Sequence, residues 1–143
     1  MKNKVTPAPV IDEKLKLVNK PNGKGLTRIV KATQCSFRGF AAAWQHESAF
    51  RQELIMALVL LPFSFVIASS TLHLLMLISC LLFVLFAEIV NSAIEALADA
   101  ITLENNVLIG RAKDMGSSAV FIALTLLTLV WLEAIWRYVT LHI

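Results

Sequence analysis

The chain has 143 residues, of which 57% are hydrophobic and 16% charged, and its formal net charge is +3. A mean hydropathy of +0.72 is too high for a water-soluble domain of this length, because one small core cannot bury so much apolar material. The excess apolar surface must face lipid. The composition therefore excludes a soluble globular protein and predicts an all-α membrane protein.

The N-terminal region divides into two parts. Prolines and lysines recur through residues 1–24 without helical periodicity, which predicts a flexible basic tail attracted to a membrane surface, followed by one membrane domain over 25–143. Ile29, Phe37 and Trp44 then recur at helical spacing among basic residues. This pattern predicts an amphipathic surface helix over about 26–46. A buried core helix is the alternative, but an apolar span follows closely.

Three apolar segments are long enough to cross the bilayer, at about 50–68, 72–101 and 115–138. Ten of the thirteen Lys and Arg residues precede Leu54, where the uninterrupted apolar part of the first segment begins, and two more follow the second segment. The positive-inside rule therefore predicts a multi-pass protein with its N-terminus and the loop at 102–114 in the cytoplasm and its C-terminus on the other side of the membrane.

A polar stripe continues the second span. At roughly 100° per residue, Asn91, Ser92, Glu95 and Asp99 all fall within about 60° of Glu88 around the helix. A carboxylate at the centre of a span costs on the order of 3 kcal/mol, so its presence indicates function more than helix–helix adhesion. From the residues alone, Glu88 suits a general base, and Glu95 with Asp99 could hold a hard cation.

Known nucleotide motifs are missing around this stripe. Gly23-Lys24-Gly25 lacks the spacing of a Walker loop, although Arg111 and Lys113 should lie at the same cytoplasmic level as the carboxylates. A cation carrier and a structural membrane oligomer therefore remain alternatives. The carrier is less favoured because Leu74 to Phe86 offers almost no polar relay.

Several motifs together resemble the prokaryotic diacylglycerol kinases over about residues 26–136. They are Ala42-Ala43-Trp44, Glu47, Ala-Phe-Arg-Gln-Glu at 49–53, Glu-Ile-Val-Asn-Ser-Ala-Ile-Glu at 88–95, Asp99, and Gly-Arg-Ala-Lys-Asp-Met-Gly at 110–116. The resemblance implies ATP-dependent phosphorylation of 1,2-diacylglycerol to phosphatidic acid in lipid recycling. It also implies that this reaction takes place at the cytoplasmic face of the bacterial inner membrane, with the C-terminus of the chain in the periplasm. Undecaprenol kinase activity is the alternative within the same family.

The resemblance also implies partners and site residues. ATP, diacylglycerol and membrane lipid are the expected partners, with no nucleic acid, and the chain is expected to form a homotrimer with shared active sites. Glu88 matches the general base, and Glu47 and Glu95 match the carboxylates that hold Mg2+ with ATP. The positions that match substrate or nucleotide contacts are Arg28, Gln52, Asn91, Asp99, Arg111, Lys113 and Asp114; Arg51 matches without an assigned role.

Overall fold

The computed structural model describes residues 25–142, and within that range the chain forms four α-helices and no strand. They are α1 (Leu26–His46), α2 (Ser48–Ile67), α3 (Thr71–Ile101) and α4 (Val107–His142). The last three are long and apolar enough to cross a membrane. This architecture confirms the prediction of an all-α membrane protein with one amphipathic helix and three spans.

The chain divides into two compact units after Gly39. In the first unit, the apolar side chains of Leu26, Ile29 and Phe37 are exposed along one face of α1. An exposed apolar face on a basic helix is typical of a helix that lies in the headgroup layer of a membrane. The predicted tail at 1–24 lies outside the described residues.

In the second unit α3 is the central helix, since it packs along α4 and also against α2. The most deeply buried apolar side chains are Leu77 and Val84 of α3 and Ala123 and Ala134 of α4. Two of these four are alanines, so the backbones of α3 and α4 can approach closely, as small residues allow in membrane bundles. Most large apolar side chains on the outer faces are exposed, as expected for lipid contact.

The fourth helix begins earlier than the apolar pattern indicates. The third span was expected to begin at about 115, whereas α4 begins at Val107. The side-chain oxygen of Asn106 accepts hydrogen bonds from the backbone N–H groups of Leu108 (2.9 Å) and Ile109 (3.3 Å). This N-cap satisfies two donors that a helix start leaves unpaired, so the polar residues before the span become helical.

A charged cluster links the beginning of α3 to the end of α4. Arg137 Nε donates to Glu133 Oε1 at 2.9 Å within α4, and Glu133 Oε2 lies 3.6 Å from His73 Nε2 of α3. The cluster borders a cavity of about 490 Å³. It lies at the opposite end of α3 from the loop that joins α3 to α4.

Near that loop the spacing between α3 and α4 depends on a glycine. A Cβ atom on Gly116 would lie 2.5 Å from Oδ1 of Asn91 and 3.5 Å from Cδ1 of Ile94. Asn91 is buried, so it has little space in which to move away. The missing side chain at Gly116 therefore lets α4 pack directly on the polar stripe of α3.

We predict that Gly116→Ala destabilises the protein by about 1–3 kcal/mol, because the added methyl group overlaps the Asn91 amide. The measurement is the midpoint of unfolding in detergent micelles. Gly110→Ala is the matched control in the same helix, since no atom lies within 4 Å of its Cβ position. It should raise stability by about 0.5–1 kcal/mol, because alanine is the better helix former. Equal effects of the two changes would contradict the prediction.

Candidate active site

The polar stripe of α3 lines an open cavity of about 420 Å³ between α2, α3 and α4, which the residue that joins α1 to α2 also borders. The helical spacing of Glu88, Asn91 and Glu95 places all three side chains in its wall. The other lining residues are Glu47, Ser48, Ala49, Glu53, Ser117, Val120, Phe121 and Leu124. One side of the cavity is therefore acidic and the other, formed by α4, is mostly apolar.

Glu88 and Asn91 are almost fully buried, with 3% and 8% of their surface exposed. Nδ2 of Asn91 donates a 2.9 Å hydrogen bond to Oε1 of Glu95, one helical turn further along α3. Oδ1 of Asn91 is buried without a hydrogen-bond partner among the described residues. An unpaired buried polar atom costs about 1–3 kcal/mol, and the bundle bears this cost where Asn91 packs against Gly116 of α4.

Glu53 is a cavity residue that our sequence reasoning did not select. It lines the cavity with Glu47 and Glu88, and its Oε2 is buried without a partner among the described residues. The feature that identifies Glu53 is the buried seam of α2, which is formed by Phe50, Ala57 and Ser64 at seven-residue intervals. Glu53 falls about 60° from Phe50 around the helix and so belongs to this seam.

Gln52 was predicted as a polar group of the site, but in the single chain it is exposed and lies outside the cavity lining. It falls roughly 200° from Phe50 around α2, so its side chain points away from α3. The structure therefore brings Glu47, Glu88, Asn91 and Glu95 together and leaves Gln52 apart.

Asp99 and Lys113 form a second polar site beside the loop between α3 and α4. Nζ of Lys113 lies 2.5 Å from Oδ1 of Asp99. This ion pair borders a separate cavity of about 190 Å³ lined also by the loop residues 102–106. Asp99 is one helical turn beyond Glu95, or about 6 Å along α3, so the ion pair continues the acidic stripe toward the loop.

The remaining predicted site residues are exposed. Asp114 lines neither of the two polar cavities, and its backbone carbonyl accepts a hydrogen bond from Ser118 Oγ at 2.8 Å. Arg111 is also exposed at the start of α4. Arg28 is exposed on α1 in the first unit.

The acidic cavity can hold a hard cation only if a bound ligand supplies further oxygen atoms to it. Among residues 25–142 no group of three His, Cys, Asp or Glu side chains is arranged to hold a metal. Mg2+ is usually bound through one or two carboxylates together with phosphate oxygens and water. Glu47 and Glu95 supply two carboxylates to the cavity, and Glu53 and Glu88 line it as well.

These features define a helical membrane protein with an acidic cavity inside its bundle. The family described as prokaryotic diacylglycerol kinase matches residues 34–135. The chain therefore belongs to the prokaryotic diacylglycerol kinase family, a family of phosphotransferases with an alcohol acceptor, and this result confirms the resemblance found in the sequence.

Similar proteins cover most of the chain. A protein named diacylglycerol kinase from Escherichia coli K12 is 42% identical over 117 residues, which are 82% of this chain and 96% of that protein. The protein of the same name from Pseudomonas aeruginosa is 45% identical over 107 residues, 75% of this chain and 87% of that protein. The protein of the same name from Haemophilus influenzae is 40% identical over 107 residues, which are 75% of this chain and 91% of that protein.

We predict that Glu53→Gln lowers turnover by about 10–100-fold, because it removes one of the four carboxylates that line the cavity and so weakens the binding of a cation there. The assay is the initial rate of phosphoryl transfer by purified protein of equal folded fraction. Glu133→Gln, at the other end of the bundle, is the matched control and should leave the rate unchanged. A rate for Glu53→Gln equal to that of the control would show that the buried carboxylate has no part in the site.

Proposed function

We propose that this protein transfers the γ-phosphoryl group of ATP to the hydroxyl group of 1,2-diacylglycerol, forming phosphatidic acid and ADP. The observation that carries the proposal is the burial of Glu88 in the wall of an acidic cavity inside three membrane-spanning helices. A lipid hydroxyl can reach such a position from the bilayer, while ATP enters from the water phase. Family membership supports the same reaction.

Glu88 would act as the general base. It takes the proton from the lipid hydroxyl while the hydroxyl oxygen forms a bond to the γ-phosphorus of ATP. The bond from that phosphorus to the bridging oxygen breaks, and ADP leaves. Transfer of this kind depends mainly on positioning and on charge neutralisation.

The charges around the cavity suit this chemistry. Glu47 and Glu95 would hold a Mg2+ ion with ATP, and that ion would neutralise the phosphate charges. Lys113, held by Asp99 near the loop, is placed to attract the nucleotide from the water phase. We propose that Arg28, Arg111 and the other exposed basic residues add to this attraction, in line with the positive-inside orientation.

We also propose a homotrimer in the bacterial inner membrane, with the N-terminus in the cytoplasm and the C-terminus in the periplasm. Gln52 and Asp114 would then act at the boundary with a neighbouring copy, since each is exposed in the single chain. The extensive exposed apolar surface of α2, α3 and α4 is available to both lipid and neighbouring subunits.

The alternatives are less well supported. A cation carrier would need polar groups along the whole bundle, but the buried positions of α3 between Leu74 and Phe86 are Leu77, Cys80, Leu81 and Val84. The names of the similar proteins favour diacylglycerol over undecaprenol as the lipid substrate.

The test is phosphorylation in mixed micelles with labelled ATP and magnesium, with 1,2-diacylglycerol and undecaprenol offered separately. We expect label in phosphatidic acid. Glu88→Gln should lower the rate by at least about 100-fold, because amide cannot accept the hydroxyl proton. Glu133→Gln should behave as the unchanged protein.

The fold of each variant is checked by its trimer content and by binding of labelled ATP. Label in undecaprenyl phosphate alone would reassign the substrate. Absence of label in both lipids from folded protein would refute the proposed function.

A further inference from the structure

The joint between α1 and α2 is a single residue, Glu47. α1 ends at His46 and α2 begins at Ser48. Glu47 has an extended backbone with φ −108° and ψ 115°, and its side chain makes no hydrogen bond that caps α2. The carboxylate is therefore free of the helix and lines the acidic cavity with Glu88 and Glu95.

Arg51 spans this joint from the first turn of α2. Its Nη1 donates hydrogen bonds to the backbone carbonyl oxygens of Trp44 at 2.8 Å and Gln45 at 3.3 Å. These are two of the last carbonyls of α1, which have no partner within their own helix. One side chain thus ties the last turn of α1 to the first turn of α2.

The position of this charge is informative. A cation is disfavoured in the first turn of a helix, where the helix dipole is positive, and favoured near the last turn. The first turn of α2 contains no acidic residue that would compensate Arg51. The positive charge of Arg51 is instead paired with the carbonyl oxygens of α1. The connection between α1 and α2 therefore explains why an arginine stands at this position.

We infer that Arg51 is a positioning residue, which fixes the backbone of Glu47 between α1 and α2 and so holds the Glu47 carboxylate in the cavity beside Glu95. This inference rests on the proposed function, in which Glu47 and Glu95 bind the divalent cation that accompanies ATP. Arg51 itself lies outside the lining of the cavity. It acts on the cation only through Glu47.

The primary test is binding of Mn2+ in place of Mg2+, followed by electron paramagnetic resonance with a non-hydrolysable ATP analogue. Arg51→Met should raise the Mn2+ concentration for half-saturation by about 10–100-fold, the usual cost of removing a group that orients a metal ligand. The Mg2+ midpoint of turnover should rise by a similar factor, while the KM for diacylglycerol changes less. Arg51→Lys keeps the charge and should give an intermediate shift.

Two controls separate this effect from general damage. Arg137 is also a hydrogen-bonded arginine, since it donates to Glu133, but it lies at the other end of the bundle. Arg137→Met should therefore leave the Mn2+ midpoint unchanged. In a double-mutant cycle, Arg51→Met combined with Glu47→Gln should bind Mn2+ no more weakly than Glu47→Gln alone, because the two residues act through one carboxylate.

An unchanged Mn2+ midpoint in folded Arg51→Met, or full additivity in the cycle, would overturn the inference. If Arg51→Met does not fold, Arg51→Lys is measured in the same way and an unchanged midpoint has the same meaning. The proposed function fails separately, when the unchanged protein forms no phosphatidic acid. If the unchanged protein is active and the Arg51 variant has the same Mn2+ midpoint, only the role of Arg51 is refuted.

Discussion

A buried carboxylate in an apolar helix bundle is the constraint on which the rest of this protein depends. Glu88 lies in the middle of α3 with almost no exposed surface, where a charge is costly and water is scarce. The bundle meets this constraint by grouping polar residues. Asn91 and Glu95 are hydrogen-bonded to each other beside Glu88, and all three face a cavity rather than lipid. α4 in turn packs on this polar stripe at Gly116, which lies against Asn91.

Much of the site could be predicted from the sequence because it lies on one regular helix. The angular spacing of Glu88, Asn91 and Glu95 follows from the geometry of any α-helix, and the structure places these three side chains in the same wall. The hydropathy of the chain likewise predicted three spans. The spacing of residues on one helix and the positions of the spans depend only on local periodicity, which can be read from a single sequence.

Other parts depend on contacts between helices, which local periodicity does not contain. Gln52 and Glu53 are neighbours in a polar run, and only the seam formed by Phe50, Ala57 and Ser64 shows which of them faces α3. Glu47 has an extended backbone between two helices, so helical periodicity does not predict where its side chain lies. The start of α4 depends on the Asn106 cap, which a hydropathy pattern does not reveal.

The pair formed by Glu133 and Arg137 has a consequence for biogenesis. On the proposed orientation, the C-terminal end of α4 must be carried across the bilayer as the chain is inserted, and each isolated charge would add about 3 kcal/mol to the barrier at the membrane centre. The two side chains are four residues apart and hydrogen-bonded within α4. They can therefore neutralise each other without a partner from another helix, so this ion pair can cross the bilayer without net charge.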